Sequence, residues 1–399
     1  MSDKRPAISP FLREFLRSEA ASGVLLLVAA VTAIVLANSP WKDAYTHATH
    51  LSLRFGDGFL RVDTTLVHAI NDGLMAVFFL VVGLEIKREF LTGELSGKGA
   101  AILPVAAACG GAAVPALIYA AFNAGTPAAH GWGIPMATDI AFAVGVLALL
   151  GRHVAPVFKV FLTAVAVVDD LIAVLVIAFF YTSGLDVRAL AVVAGACALL
   201  FALNRSGVRA LTPYLLVGIV LWAAMAKSGV HATIAGVLLG MSIPAADAET
   251  SPLRRLEHAL HPWVAWGIMP VFALANAGVA VPLGQVSAML TSPIALGIVL
   301  GLFFGKQIGI FGTTFLLSRF GVGALPNDVR ARRSLWGVAL LGGIGFTMSL
   351  FVSGLAFHEE AMTDVSKAAI LAGSLISGLA GAAVLASVPA PVAGDTDAG

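Results

Sequence analysis

The residues from Phe158 to Phe180 form one apolar run, interrupted only by Lys159, Thr163 and, at its middle, the adjacent carboxylates Asp169 and Asp170. Such a run is long enough to cross a bilayer, which takes about 20 apolar residues. A carboxylate held at that depth costs roughly 2.5–3.5 kcal/mol on insertion scales. Two in a row are hard to explain as packing. One reading is a structural ion pair with a cation on another helix. The stronger reading follows from the rarity of ionisable groups in lipid, where they mark binding sites and proton paths. Asp169 and Asp170 therefore read as a site for something charged or protic.

The rest of the chain agrees that its solvent is lipid. Hydrophobic residues make up 59% and charged residues 12%, against about 25% charged in ordinary soluble domains. Mean hydropathy is +0.93. A net charge of +1 offers no basic face to nucleic acid. Cys109 and Cys197 lie inside apolar runs and read as small packing residues, not as a disulfide or a metal pair. The first apolar run, Ala20 to Ala37, follows the charged stretch Arg13 to Glu19. It is longer than a signal-peptide core and reads as a retained first span.

Apolar runs separated by charged or Gly/Pro/Asn-rich breaks give about twelve spans, with limits near 18–38, 66–91, 100–122, 132–150, 157–181, 188–203, 211–226, 229–243, 256–281, 291–317, 333–357 and 366–388. They must be helices, because backbone groups in lipid have to bond internally. The expected fold class is an all-α integral membrane protein. Residues 18–388 are expected to form a single transmembrane domain between a cytosolic tail at 1–17 and a disordered cytosolic tail at 389–399. With the N-terminus inside, seventeen of the 24 lysines and arginines fall on the inner side and six on the outer; Lys306 lies within the membrane. The positive-inside rule then places both termini in the cytoplasm.

One extramembrane loop, 47–63, looks structured. From Leu51 to Val62, apolar and polar residues alternate around Gly56-Asp57-Gly58, a β-hairpin pattern with glycine supplying the turn. A lone hairpin is marginal in water. It is either a clasp on its own domain or, through its unpaired edges, a contact with a second copy.

The remaining intramembrane polar residues share the depth of Asp169 and Asp170. Asp139 lies near the middle of span four, beside Pro135, and Lys306 near the middle of span ten. Span eleven has no central charge but carries Gly342-Gly343-Ile344-Gly345. Pro135 and this glycine cluster should each interrupt a helix. Spans four and eleven run in opposite directions, which points to inverted repeats over spans three to five and ten to twelve, with the two interrupted helices crossing at the midplane. Broken helices expose half-helix ends of about +0.5 and −0.5 charge. Asp139 can offset the positive ends and Lys306 the negative ones, or Asp139 can itself be a ligand. Asp169 and Asp170 point about 100° apart on a helix, so one should face a water cavity and the other a neighbour such as Lys306. Carboxylates and freed carbonyls suit a hard alkali cation. Proton and cation then compete for the same oxygens, and a site that reorients only when loaded gives antiport.

These residues resemble the bacterial NhaA-type sodium/proton antiporters over nearly the whole chain. The resemblance rests on Ile70 to Phe79 (INDGLMAVFF), Gly83 to Glu89 (GLEIKRE), Pro135 to Phe142 (PMATDIAF), Val167 to Leu171 (VVDDL), Ser228 to Thr233 (SGVHAT), Leu256 to Pro262 (LEHALHP) and Gly343 to Ser349 (GIGFTMS). That family is a standard example of inverted repeats, so the two arguments are not independent. The resemblance implies alternating-access exchange of sodium or lithium for protons across the bacterial inner membrane. It also implies an electrogenic, pH-activated cycle serving sodium and pH homeostasis. Asp169 and Asp170 would carry sodium or protons, with Thr138 close by; Asp139 and Lys306 would compensate the broken helices. Glu85, Arg88, His231 and Glu257 match positions tied to pH response, and the 51–62 hairpin matches a homodimer contact. Sodium, lithium, protons and membrane lipid are the implied partners. No cofactor and no enzymatic activity are implied.

Competing readings are weaker. A sodium-coupled symporter of related fold would need a cavity for an organic substrate. An intramembrane aspartyl protease needs two carboxylates sharing a proton, for which Asp139 and Asp169 could pose, but it has no use for Asp170 or Lys306. A cation channel lacks a repeated pore-lining ring. His258 and His261 have metal-ligand spacing but no third ligand nearby, and read as interfacial.

Overall fold

The computed structural model describes residues 19–55, 62–97, 99, 101–151, 154–182, 184–245, 251–280, 286–322 and 328–389. The tails expected at 1–17 and 389–399 lie outside the described residues, apart from Pro389.

Ten helices among the described residues are long and apolar enough to cross a membrane. In chain order, α1 is Glu19–Ala37, followed by the short polar helix α2, Lys42–Thr49. The two strands β1 (Ser52–Phe55) and β2 (Val62–Thr65) precede α3, Leu66–Thr92, and α4, Ile102–Asn123. Next come α5 (Pro127–Met136, wound as a tighter 3-10 helix), α6 (Ile140–Leu150), α7 (Pro156–Phe180), α8 (Val187–Arg205), α9 (Leu211–Ser228) and α10 (Ile234–Ser242). The chain closes with α11 (252–276), α12 (Val286–Leu290), α13 (Pro293–Arg319), α14 (Val329–Leu341), α15 (Phe346–Ala356) and α16 (Glu360–Ala386). The pairs α5–α6 and α14–α15 each make one of the ten spans.

Two of the twelve expected spans fall outside that ten. The eighth, expected at 229–243, is only the nine-residue α10, about 14 Å long at 1.5 Å per residue. Gly229, at φ 84°, ends α9 in the left-handed region, and residues 229–233 are spent on the turn. The ninth, expected at 256–281, is a continuous helix, but Arg254, Arg255, Glu257, His258 and His261 crowd its first half.

The two strands pair antiparallel, with Ser52 opposite Thr65 and Phe55 opposite Val62. The second strand starts at Val62, later than the 51–62 alternation placed it, where β-branched Val62, Thr64 and Thr65 favour extended backbone. The Gly56-Asp57-Gly58 turn lies outside the described residues. Thr65 also caps α3, accepting from the His68 amide.

Small residues bring helices into contact where the site needs them. A methyl group added at Gly305 would lie 2.8 Å from Pro115 Cα, and one at Gly110 only 2.6 Å from Gly309 O. The α4 and α13 backbones therefore touch around Lys306. On the other side, Gly83 and Gly240 let α10 close onto α3 in the same way. The α13 helix widens into π-helical turns at Gly301–Gly305 and Gln307–Gly312, on either side of Lys306. That feature has no signature in apolar periodicity. The most buried of the ten spans is α14–α15.

Candidate functional site: a crossing of two broken helices

The breaks at 137–139 and 342–345 meet. Backbone joins backbone there, with Asp139 N donating to Ile344 O at 2.7 Å. Proline explains the first break, since Pro135 cannot donate to the ladder. Four residues with three glycines explain the second.

Each half-helix end is satisfied by a specific side chain. Asp139 is the N-cap of α6: its Oδ1 accepts from Phe142 N at 2.9 Å. Its Oδ2 accepts from Thr347 N at 3.1 Å and also from the Thr347 hydroxyl. One carboxylate therefore sits between the positive ends of α6 and α15. A second acceptor at α15 is Ser374 of α16, whose Oγ takes the Phe346 amide at 3.0 Å. The negative ends receive hydroxyls. Thr138 Oγ1 donates to Gly342 O at 2.8 Å, and Ser349 Oγ to Ile134 O at 2.7 Å. Lys306 Nζ donates to Asp169 Oδ2 at 2.7 Å.

Asp169 and Asp170 divide the space as their 100° offset requires. Asp169 turns to Lys306. Asp170 lines a cavity of about 500 Å³, together with Asp139, Glu85, Arg88, Glu257 and His261. Asp169 Oδ1 and Asp170 Oδ1 are buried and have no hydrogen-bond partner. Unpartnered carboxylate oxygens in a dry setting are costly and can take either a proton or a hard cation. Asp139, with both oxygens engaged, and Asp169, bonded to Lys306, do not form the shared-proton dyad of an aspartyl protease.

Of the other residues singled out in the sequence, Glu85, Arg88, Glu257, His258 and His261 line the Asp170 cavity, and His231 lines a different one. Arg88 pairs with Glu257 and, at 2.9 Å, with Glu89. Glu85 stands one turn before Arg88 on α3, yet the tertiary ion pair of Arg88 goes to buried Glu257 of α11. His258 and His261 are exposed. His231 lines a second cavity, of about 520 Å³, that also holds His68, Asp72, His130 and His358. Its Nε2 donates to Tyr181 O at 2.9 Å. Among the described residues, no group of three His, Cys, Asp or Glu side chains is placed to hold a metal ion.

Thr347, Ser349 and Ser374 join the site without standing out in the sequence. Their signal was present as single hydroxyls inside apolar runs next to glycine clusters. Only the crossing shows which carbonyl or amide each one serves.

Known protein sequences match this chain over most of its length. The family described as Na+/H+ antiporter 1 matches residues 13–385. The Na(+)/H(+) antiporter NhaA of Paramagnetospirillum magneticum is 54% identical over 387 residues, covering 96% of this chain and 98% of the relative. That of Caulobacter vibrioides is 52% identical over 381 residues, covering 94% and 90%. The Na(+)/H(+) antiporter NhaA 2 of Clostridium beijerinckii is 48% identical over 385 residues, covering 96% and 95%. Identity near one half covers nearly the whole of this chain in each of these relatives. The chain belongs to the Na+/H+ antiporter 1 family, and it is a multi-pass membrane transporter, not an enzyme.

Proposed function

We propose that the protein is a secondary antiporter that exchanges sodium ions for protons by alternating access, with Asp170 and Asp169 as the competing oxygens. One observation carries this reading: each of these buried carboxylates keeps an oxygen without a partner, and one of them opens onto a cavity beside the helix crossing. A sodium ion accepts such oxygens, and so does a proton; both cannot hold them together. Lys306, bonded to Asp169, is positioned to answer any change in that carboxylate's charge. The names of the relatives support sodium and protons as the exchanged ions.

The same reading includes lithium as an alternative cargo and an electrogenic, pH-activated cycle, with Glu85, Arg88, Glu257 and His231 in the pH response. Twelve spans in the bacterial inner membrane, both termini cytoplasmic, fit the charge bias and count α10 and α11 as the eighth and ninth. Inverted repeats are supported by the reciprocity of the crossing, where each broken helix gives a hydroxyl to the other's carbonyl. The hairpin serves a homodimer.

The test is sodium-triggered proton movement in vesicles reconstituted with the purified protein. Alkali cation added to sodium-free vesicles should discharge an imposed pH gradient. A gradient that persists in sodium and in lithium would overturn the reading.

A further inference from the structure

The start of α15 carries amides that no intrahelical carbonyl can reach. Thr347 N goes to Asp139, and Phe346 N goes to Ser374. Asp139 already serves the start of α6 through Phe142 N. Without Ser374, the nearest carboxylate would be asked to serve a further amide. The residues at both half-helix starts, Ile140, Ala141 and Met348, line the same cavity as Asp170. What happens to the positive ends is therefore felt where a cation would sit.

We infer that Ser374 is a positioning residue for the ion site: its hydroxyl holds the first amide of α15, fixing that helix end against Asp139 and limiting the positive potential at Asp170. This inference rests on the antiport reading given above. The bond is buried, with Ser374 6% exposed, so water cannot replace the hydroxyl. Releasing the Phe346 amide either adds positive potential beside Asp170 or draws Asp139 away from Phe142. Both outcomes disfavour a bound cation. Ser377, one turn further along α16, is the internal control. It is fully buried, and its hydroxyl has no hydrogen-bond partner.

The experiment compares wild type, Ser374→Ala, Ser374→Thr and Ser377→Ala as full-length reconstituted proteins. It is run at alkaline pH, where proton competition is weakest. Ser374→Ala should raise the sodium KM about 3- to 10-fold, a part of the roughly 5- to 150-fold that the loss of a buried amide's acceptor represents in stability, with the maximal rate nearly unchanged. Ser374→Thr should restore the wild-type KM, and Ser377→Ala should leave it alone. A wild-type KM in Ser374→Ala, or an equal rise in Ser377→Ala, would overturn the inference. If Ser374→Ala fails to insert, Ser374→Cys, a weaker acceptor, takes its place, and a wild-type KM there is equally fatal. Hydrogen exchange at the Phe346 amide needs no transport at all. It should quicken in Ser374→Ala, and unchanged exchange refutes the inference whatever the fate of the antiport reading.

Discussion

Lys306 Nζ and Asp169 Oδ2 are 2.7 Å apart, and neither side chain is more than 1% exposed. A pair buried this completely gains little over an apolar pair, yet removing one partner strands the other's charge, at a cost of about 3–5 kcal/mol. Lys306→Ala should therefore lower the stability of the detergent-solubilised protein steeply. Adding Asp169→Asn to it should recover most of the loss. Thermal unfolding of the two single variants and the double variant measures this. Strictly additive losses would mean the two groups do not act as a pair.

Asp170→Asn keeps the volume and removes the cation and proton site. We expect no sodium-dependent proton flux from a protein that still inserts and folds. Asp169→Asn should be comparably severe in flux and, unlike Asp170→Asn, destabilising, because it leaves Lys306 unpaired in low dielectric. Vesicle flux paired with a melting measurement separates the two variants. Normal flux in Asp170→Asn would end the competition mechanism.

If sodium and protons compete for the same oxygens, acidification must raise the apparent sodium KM before it lowers the maximal rate. A separate sensor would change the maximal rate at saturating sodium instead. His231 is held by Tyr181 O in a cavity that Asp170 does not line, and burial pushes its imidazole below the usual ~6.5. Kinetics from acid to alkaline pH in wild type and His231→Ala should show the KM dependence in both, with any change in steepness confined to the variant. A KM independent of pH would remove the competition model; identical profiles would remove His231 from the pH response.

The paired strands Ser52–Phe55 and Val62–Thr65 form a two-stranded sheet whose outer edges pair with no other strand among the described residues. Deleting residues 53–61 should weaken the proposed dimer and leave each copy able to transport. Native mass analysis and vesicle flux on the same preparation check both halves. An unchanged oligomer mass would place the contact elsewhere.

What the sequence determined by itself is what depends on composition and on chain neighbours. Lipid as solvent, the helices and where most of them lie follow from apolar run length, because unpaired backbone groups are too costly in hydrocarbon. Pro135 and the glycines at 342–345 mark both interruptions, since local backbone chemistry alone breaks a helix there. The adjacency of Asp169 and Asp170 already forces their carboxylates to point in different directions.

Only the tertiary structure decided the partners. Lys306 lies 137 residues from Asp169, and Thr347 lies 208 from Asp139; no local pattern links them. Arg88 shows the limit most clearly. Glu85 lies one turn away on the same helix, but the packing of α11 against α3 supplies Glu257 as its tertiary partner. Hydrogen bonds and ion pairs act over about 3 Å, so their partners are fixed by which backbones touch. In this protein that is decided by close approaches such as Gly305 on Pro115 and Gly83 on Val237. The sequence names the residues able to bond; the packing of helices distant in the chain selects which of them do.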